Sequence, residues 1–289
     1  MNKSKTNNLD ITKAKRPKTK NISIRDEYGE IREFPVTGEL PLTIFVNKKE
    51  IVTLMTLGHY PESLVIGYLR NQGFIESLEE LKSVHVDWDT NTAAVKVISS
   101  IKSWENKLTH KIVTSGCGQG TTFSGVWDAM KNKKIKSKKL KQSTLYEILK
   151  LLHEKNEVYR TSGAVHGCAL CENKKILDFI EDVGRHNAVD AIAGNMWLNN
   201  TTSTNKIFYT TGRLTSEMVI KVAQMNIPFL ISRSGITEMG LNVAKETGVT
   251  LIGRAKGKHF LVYNGYENID YDSVPKPRPK DAPDVWKRR

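Results

Sequence analysis

The chain has 289 residues, 39% of them apolar and 26% charged, and carries a formal net charge of +13. No run reaches the roughly 18 apolar residues that a membrane-spanning helix needs, and the basic N-terminus has no apolar stretch behind it of the kind a secretory signal requires. Three cysteines, an odd number, argue against a disulfide framework and for a reducing compartment, so the cytoplasm is the expected location and any reactive thiol is expected to work as a thiol.

The charge first suggests a nucleic-acid partner, but its distribution argues against one. Residues 1–20 carry seven Lys/Arg against the single acid Asp10, and residues 131–141 carry seven lysines and no acid. These two runs hold the whole excess, and lysine runs of this kind read as solvated segments. No nucleic acid and no membrane are expected as partners.

In chain order, residues 1–37 read as a basic disordered tail with slight strand character near Ile22–Ile24. PLTIFV (41–46) and EIVTLM (50–55) read as two strands around a turn. Pro61 opens a helix that Gly73 closes. Val84–Trp88 and Ala93–Ile98 flank Asp89-Thr90-Asn91 as a further hairpin. Residues 38–125 thus form a small α+β domain ending in a Gly-rich loop, and 126–142 a Lys-rich linker. Ser143 is the expected N-cap of a helix with Leu145, Ile148, Leu149 and Leu152 on one face. The apolar segment 161–171 reads as helical. Beyond it, strands at 176–180, 207–210, 229–232 and 250–253 alternate with helices at 186–197, 216–225 and 237–247. A last strand lies at 260–263. This alternation predicts an α/β domain over 143–265 with a mainly parallel sheet. Residues 266–289 read as a mobile C-terminal tail.

Ligands of open α/β sheets bind beyond the carboxyl ends of the strands. There the sequence places Arg185, Arg213, Arg233 and the segment Arg254, Ala255, Lys256, Gly257, Lys258, His259. Guanidinium groups and helix N-termini are usual phosphate partners, so this edge is a candidate polyphosphate cradle. Cys117 lies in Ser115-Gly116-Cys117-Gly118-Gln119-Gly120, a loop that leaves a thiol accessible. Cys168 and Cys171, with His166, have the spacing of a redox pair or half a zinc site. Packing as small hydrophobes is the plainer reading, and no metal is expected. A zinc nucleoside deaminase would also need a glutamate two residues after the metal histidine and a Pro-Cys-x-x-Cys, which the segment does not supply.

SGCG (115–118), SGAVHGCALC (162–171), EDVGRHNAVD (181–190), TTGRLTSEMV (210–219), SRSGITE (232–238) and LIGRAKGKHFLVY (251–263) together resemble the formate dehydrogenase accessory sulfurtransferase (FdhD) family. The resemblance runs from about Leu40 to Tyr263. It implies a cytoplasmic homodimer whose α/β domain is cytidine-deaminase-like. It also implies a sulfurtransferase that receives persulfide sulfur from a cysteine desulfurase and passes it to the bis-molybdopterin guanine dinucleotide cofactor of formate dehydrogenase. The family's loop cysteine matches Cys117, and its cofactor-contacting segment matches Arg254 through His259. Many relatives carry a second loop cysteine where this chain has Gly120, which leaves a single-thiol relay. A molybdenum-cofactor-binding chaperone without sulfur transfer is the alternative.

Overall fold

The structure is a computed structural model that describes residues 9–98 and 134–276, and the backbone of 112–113 and 120–121. Two sheets face each other across a layer of helices.

The first sheet holds β1 (Asp10–Ile11), β4 (Leu40–Val46), β5 (Lys49–Thr56), β6 (Leu81–Asp87) and β7 (Thr92–Val97), in the order β1-β6-β7-β4-β5. Its core face carries alternating apolar residues such as Leu42, Ile44 and Val46, as the period of two requires. The β4–β5 turn places Asn47 and Lys48 in the left-handed region, and the β6–β7 turn does the same with Asn91. The segment expected to be a disordered tail is ordered from Leu9 onward. β1 pairs in parallel with β6, and β2 (Thr19–Arg25) pairs with β3 (Ile31–Thr37) as a separate hairpin. Glu62 holds the approach by accepting from the Thr12 hydroxyl at 2.8 Å and the Ala14 N–H at 2.6 Å. Helical and strand periodicity could not report these contacts, because they are polar and made at long range.

The second sheet holds β11 (His166–Glu172), β12 (Lys175–Asp182), β13 (Lys206–Thr210), β14 (Phe229–Ser232), β15 (Thr250–Lys256) and β16 (His259–Asn264). Its order is β12-β11-β13-β14-β15-β16. Only β13–β14 and β14–β15 pair in parallel, so the sheet is mixed and not mainly parallel. The difference arises at 161–171, where the expected helix is instead β11, inserted antiparallel between β12 and β13. A short, continuously apolar run does not distinguish a buried strand from a helix by periodicity.

α1 (Pro61–Asn71) and α4 (Arg185–Leu198) lie between the sheets. Both are buried on nearly every side, as helices apolar or small all round should be. They cross through two glycines. A Cβ on Gly67 would stand 1.7 Å from the Asp190 carbonyl oxygen, and one on Gly194 would stand 2.0 Å from the Ser63 carbonyl oxygen. α5 (Ser216–Gln224) and α6 (Glu238–Thr247) complete this layer. One hydrophobic core therefore runs from Leu42 and Val84 in the first sheet, through Ile66 and Ile192, to Phe208 and Leu230 in the second.

α2 (Gln142–Lys155) covers the opposite face of the second sheet with Leu145, Ile148, Leu149 and Leu152, and α3 (Glu157–Ser162) follows. Ser143 is not the N-cap of α2. Lys141 occupies that place without a side-chain bond, and Ser143 donates its N–H (2.8 Å) and hydroxyl (2.6 Å) to Asp272. The C-terminal segment is thus ordered through 276. β17 (Ile269–Asp270) pairs in parallel with β10 (Leu140–Lys141). In the linker, Ile135 and Leu140 are buried while the lysines at 134, 136, 138, 139 and 141 face solvent. β8 (Ile112–Val113) and β9 (Gly120–Thr121) pair antiparallel, and Cys117 lies between them, outside the described residues.

Candidate functional site

Because β11 is antiparallel to both neighbours, β12, β13, β14 and β15 all end at one edge of the second sheet. The four arginines expected there do share that edge, but they do not form one cradle.

Arg233 and the 255–258 segment line a cleft of about 590 Å³ between the sheet edge and α2. Leu149, Tyr209 and Ala255 supply apolar surface, and Tyr146, Lys150 and His153 come from α2. Glu147 and Glu154 add carboxylates to the same walls. The guanidinium of Arg233 stands 5.9 Å from the Tyr159 ring centroid, a cation–π distance. Lys256, Gly257 and Lys258 form the β15–β16 turn, with Gly257 at a φ of 59°. His259 lies beyond the turn, with Lys258 and Tyr146 on a second, shallower depression that also holds Phe260, Tyr266 and Tyr271. Arg254 is half-buried at a φ of 51° beside a bulge, its N–H bonded to the Ser234 carbonyl, and it does not line the cleft. The aromatic and carboxylate members contributed by α2 were missed in the sequence, where that helix shows only its packing face.

Arg185 is buried at the first position of α4. Its stem lies against Gly212, where a Cβ would meet Arg185 Cδ at 2.7 Å. Arg213 follows on the surface, and His166 stands 3.5 Å from the Thr211 hydroxyl. Burial, and then the charges of Arg185 and Arg213, hold His166 below the usual imidazole value.

The other residues of the EDVGRHNAVD motif tie the fold together. Glu181 accepts from the N–H groups of Val158 and Tyr159 at the start of α3 and pairs with Lys18 at 3.5 Å. Asp182 accepts from the Thr56 hydroxyl, the Leu57 N–H, the Gly184 N–H and the Asn187 amide, joining the end of β5 to the start of α4. Asp190 pairs with Lys221 at 2.7 Å and accepts from Asn71. His186 Nε2 lies 3.4 Å from Glu217. Burial, then Lys221 and Arg185, hold that imidazole well below its ordinary value.

Cys168 and Cys171 sit on β11 three residues apart, and they face opposite sides of the sheet. Cys168 belongs to the inter-sheet core and Cys171 to the core under α2. They cannot form a redox pair, nor join His166 around one ion. Burial raises each thiol to about 12.

The fold and this edge define a mixed α/β protein with a basic, aromatic-lined cleft at the carboxyl ends of its strands. The model of the FdhD/NarQ family matches residues 37–270, and the chain belongs to that family. It is 32% identical to the sulfur carrier protein FdhD of Bacillus pumilus over 81% of this chain and 90% of that protein. It is also 32% identical to the protein of the same name from Bacillus subtilis, over 85% and 95%. A crystal structure assigned to a formate dehydrogenase accessory protein of Desulfotalea psychrophila superposes with a TM-score of 0.69 at 27% identity, covering 87% of this chain and 98% of that one.

Proposed function

We propose that this chain takes sulfur from a cysteine desulfurase as a persulfide on Cys117 and transfers it to the bis-molybdopterin guanine dinucleotide cofactor that formate dehydrogenase requires. The observation that carries this reading is the state of the other two thiols. Cys168 and Cys171 are buried and held near 12, which makes them poor nucleophiles. A sulfur carrier needs an accessible thiolate, so the work falls to Cys117. In the transfer, the Cys117 thiolate attacks the outer sulfur of the donor persulfide. A new S–S bond forms on Cys117, and the donor cysteine leaves as a thiolate.

The cleft at Arg233 and 255–258 supports the second half of the reading. Lys256, Lys258 and Arg233 suit the pyrophosphate of a dinucleotide. Tyr146 offers a ring face to guanine, and Glu147 or Glu154 offers an acceptor for its ring N–H and amino group. Arg254 and His259 flank this ligand and do not line its cleft. A mixed sheet with helices on both faces is compatible with the deaminase-like architecture that the resemblance implies. In this reading the chain works in the cytoplasm as a homodimer.

The test is the intact mass of the protein after incubation with cysteine and a cysteine desulfurase, wild type beside Cys117→Ala. One reducible added sulfur on the wild type alone is expected. Equal addition to both proteins, or to neither, would overturn the carrier role and leave a cofactor-binding chaperone.

A further inference from the structure

The arginine edge divides in two, and its second half has its own chemistry. Arg185 is 6% exposed, and its Nε has no hydrogen-bond partner. Among the described residues neither Arg185 nor Arg213 forms an ion pair. The carboxylates on the same elements are already engaged: Asp182 by four donors, Asp190 by Lys221 and Asn71. A buried guanidinium without a counter-charge is costly unless an anion supplies one.

The neighbours point the same way. The Arg185 stem rests on Gly212, Arg213 is the next residue, and Thr211 links to His166 at 3.5 Å and receives the Gly167 N–H at 3.0 Å. Arg185 opens the 14-residue helix α4, whose N-cap Gly184 makes no side-chain cap bond, while Asp182 accepts from the Gly184 N–H on the other side. His166, Arg185 and Arg213 therefore lie together outside the nucleotide cleft, and the carboxylates nearest them are already engaged, Asp182 by Gly184 and Asn187 and Glu217 by His186.

We propose that His166, Arg185 and Arg213, with the first turn of α4, form a site for a tetrahedral oxyanion, distinct from the cleft at Arg233 and 255–258. Several donors arriving from different directions match an anion with several acceptor oxygens better than a planar carboxylate. This deepens the proposed function, and it rests on that reading only where the oxyanion is a phosphate of the dinucleotide itself.

The experiment is calorimetric titration of the full chain in chloride buffer, first with inorganic phosphate and then with molybdate. One saturable site per chain is expected, weakened roughly tenfold or more in Arg213→Gln and in His166→Gln, about the loss of one charge-assisted hydrogen bond. Arg213 is exposed, so its variant reports on the site even if Arg185→Met does not fold. The Lys82→Ala, Lys96→Ala double variant, on exposed positions of the first sheet, is expected to bind phosphate as the wild type does. Absence of saturable binding, or binding that survives both Arg213→Gln and His166→Gln, would overturn the site. Repeating the titration with saturating GDP separates the sources. Loss of phosphate binding assigns the oxyanion to the nucleotide, retained binding assigns it to a separate anion, and both keep the site. Failure of GDP to bind would sink the nucleotide cleft while leaving the phosphate result standing.

Discussion

Asn187 donates its side-chain amide both to Asp182, at 2.9 Å, and to the carbonyl of Met55, at 2.7 Å, so one residue of α4 fixes the end of β5. The carboxylate it shares is buried and accepts on both oxygens. Asp182→Ala would leave the Thr56, Leu57, Gly184 and Asn187 donors without their acceptor. The expected cost is about 3–5 kcal/mol, the scale of a broken buried charged network. Asp182→Asn is expected to be damaging too, because its amide would face donors on one side. Urea unfolding followed by circular dichroism checks both, and a loss under about 1 kcal/mol for Asp182→Ala would refute the hub role.

The helix crossing makes a sharper demand. Gly67→Ala and Gly194→Ala each drive a methyl into a backbone carbonyl at 1.7 and 2.0 Å, atoms that cannot swing aside. Each is expected to lower stability by about 2–3 kcal/mol or more through forced separation of α1 and α4. Thermal unfolding of the two variants gives the answer.

Asp272 tests the C-terminal strap. Its hydrogen bonds from Ser143 lower its pKa below 3.8. A depressed carboxylate stabilises the fold fully above the unfolded value, and that contribution fades as pH falls through the lower folded value. The wild type and Asp272→Asn should therefore differ in melting temperature at pH 6, and converge as the pH drops below about 3.8. A constant difference across that range would show that the carboxylate charge plays no part.

Thiol chemistry gives a direct count. With both β11 thiols buried near 12, iodoacetamide at neutral pH should label the native protein once, at Cys117, and the denatured protein three times. Rapid labelling of Cys168 or Cys171 in the native state would contradict their placement.

For the cleft, Arg233→Gln combined with Lys256→Ala should weaken GDP binding by roughly 10–100-fold and flatten its salt dependence, since exposed cations act through screened attraction and charge-assisted bonds. Cys117→Ala should bind GDP as the wild type does. Fluorescence titration at two salt concentrations checks both expectations.

Much of this fold is legible in the sequence. The strand–helix alternation from Ile176 onward follows from apolar period, and the helix expected at 237–247 is α6, with Thr237 as its N-cap and Gly248 as its C-cap. The edge carrying Arg185, Arg213 and Arg233 followed from strand direction alone. What escaped was long-range and polar. β11 looked helical because its apolar run, buried on both faces, has no period of two. Asp272 capping α2 joins positions 129 residues apart, beyond the reach of any local signal. In the motif at 181–190, where the sequence marks Arg185 for a ligand, Glu181, Asp182, Asn187 and Asp190 hold the fold together, and Arg185 forms no ion pair among the described residues.

The glycine-to-backbone crossing of α1 and α4 also bears on how the chain can be handled. Because the apolar interior passes through that crossing from one sheet to the other, neither half is a portable module. Cutting the chain in the lysine run should leave two fragments that are insoluble apart and regain structure when mixed, complementing each other as the pieces of a split reporter do.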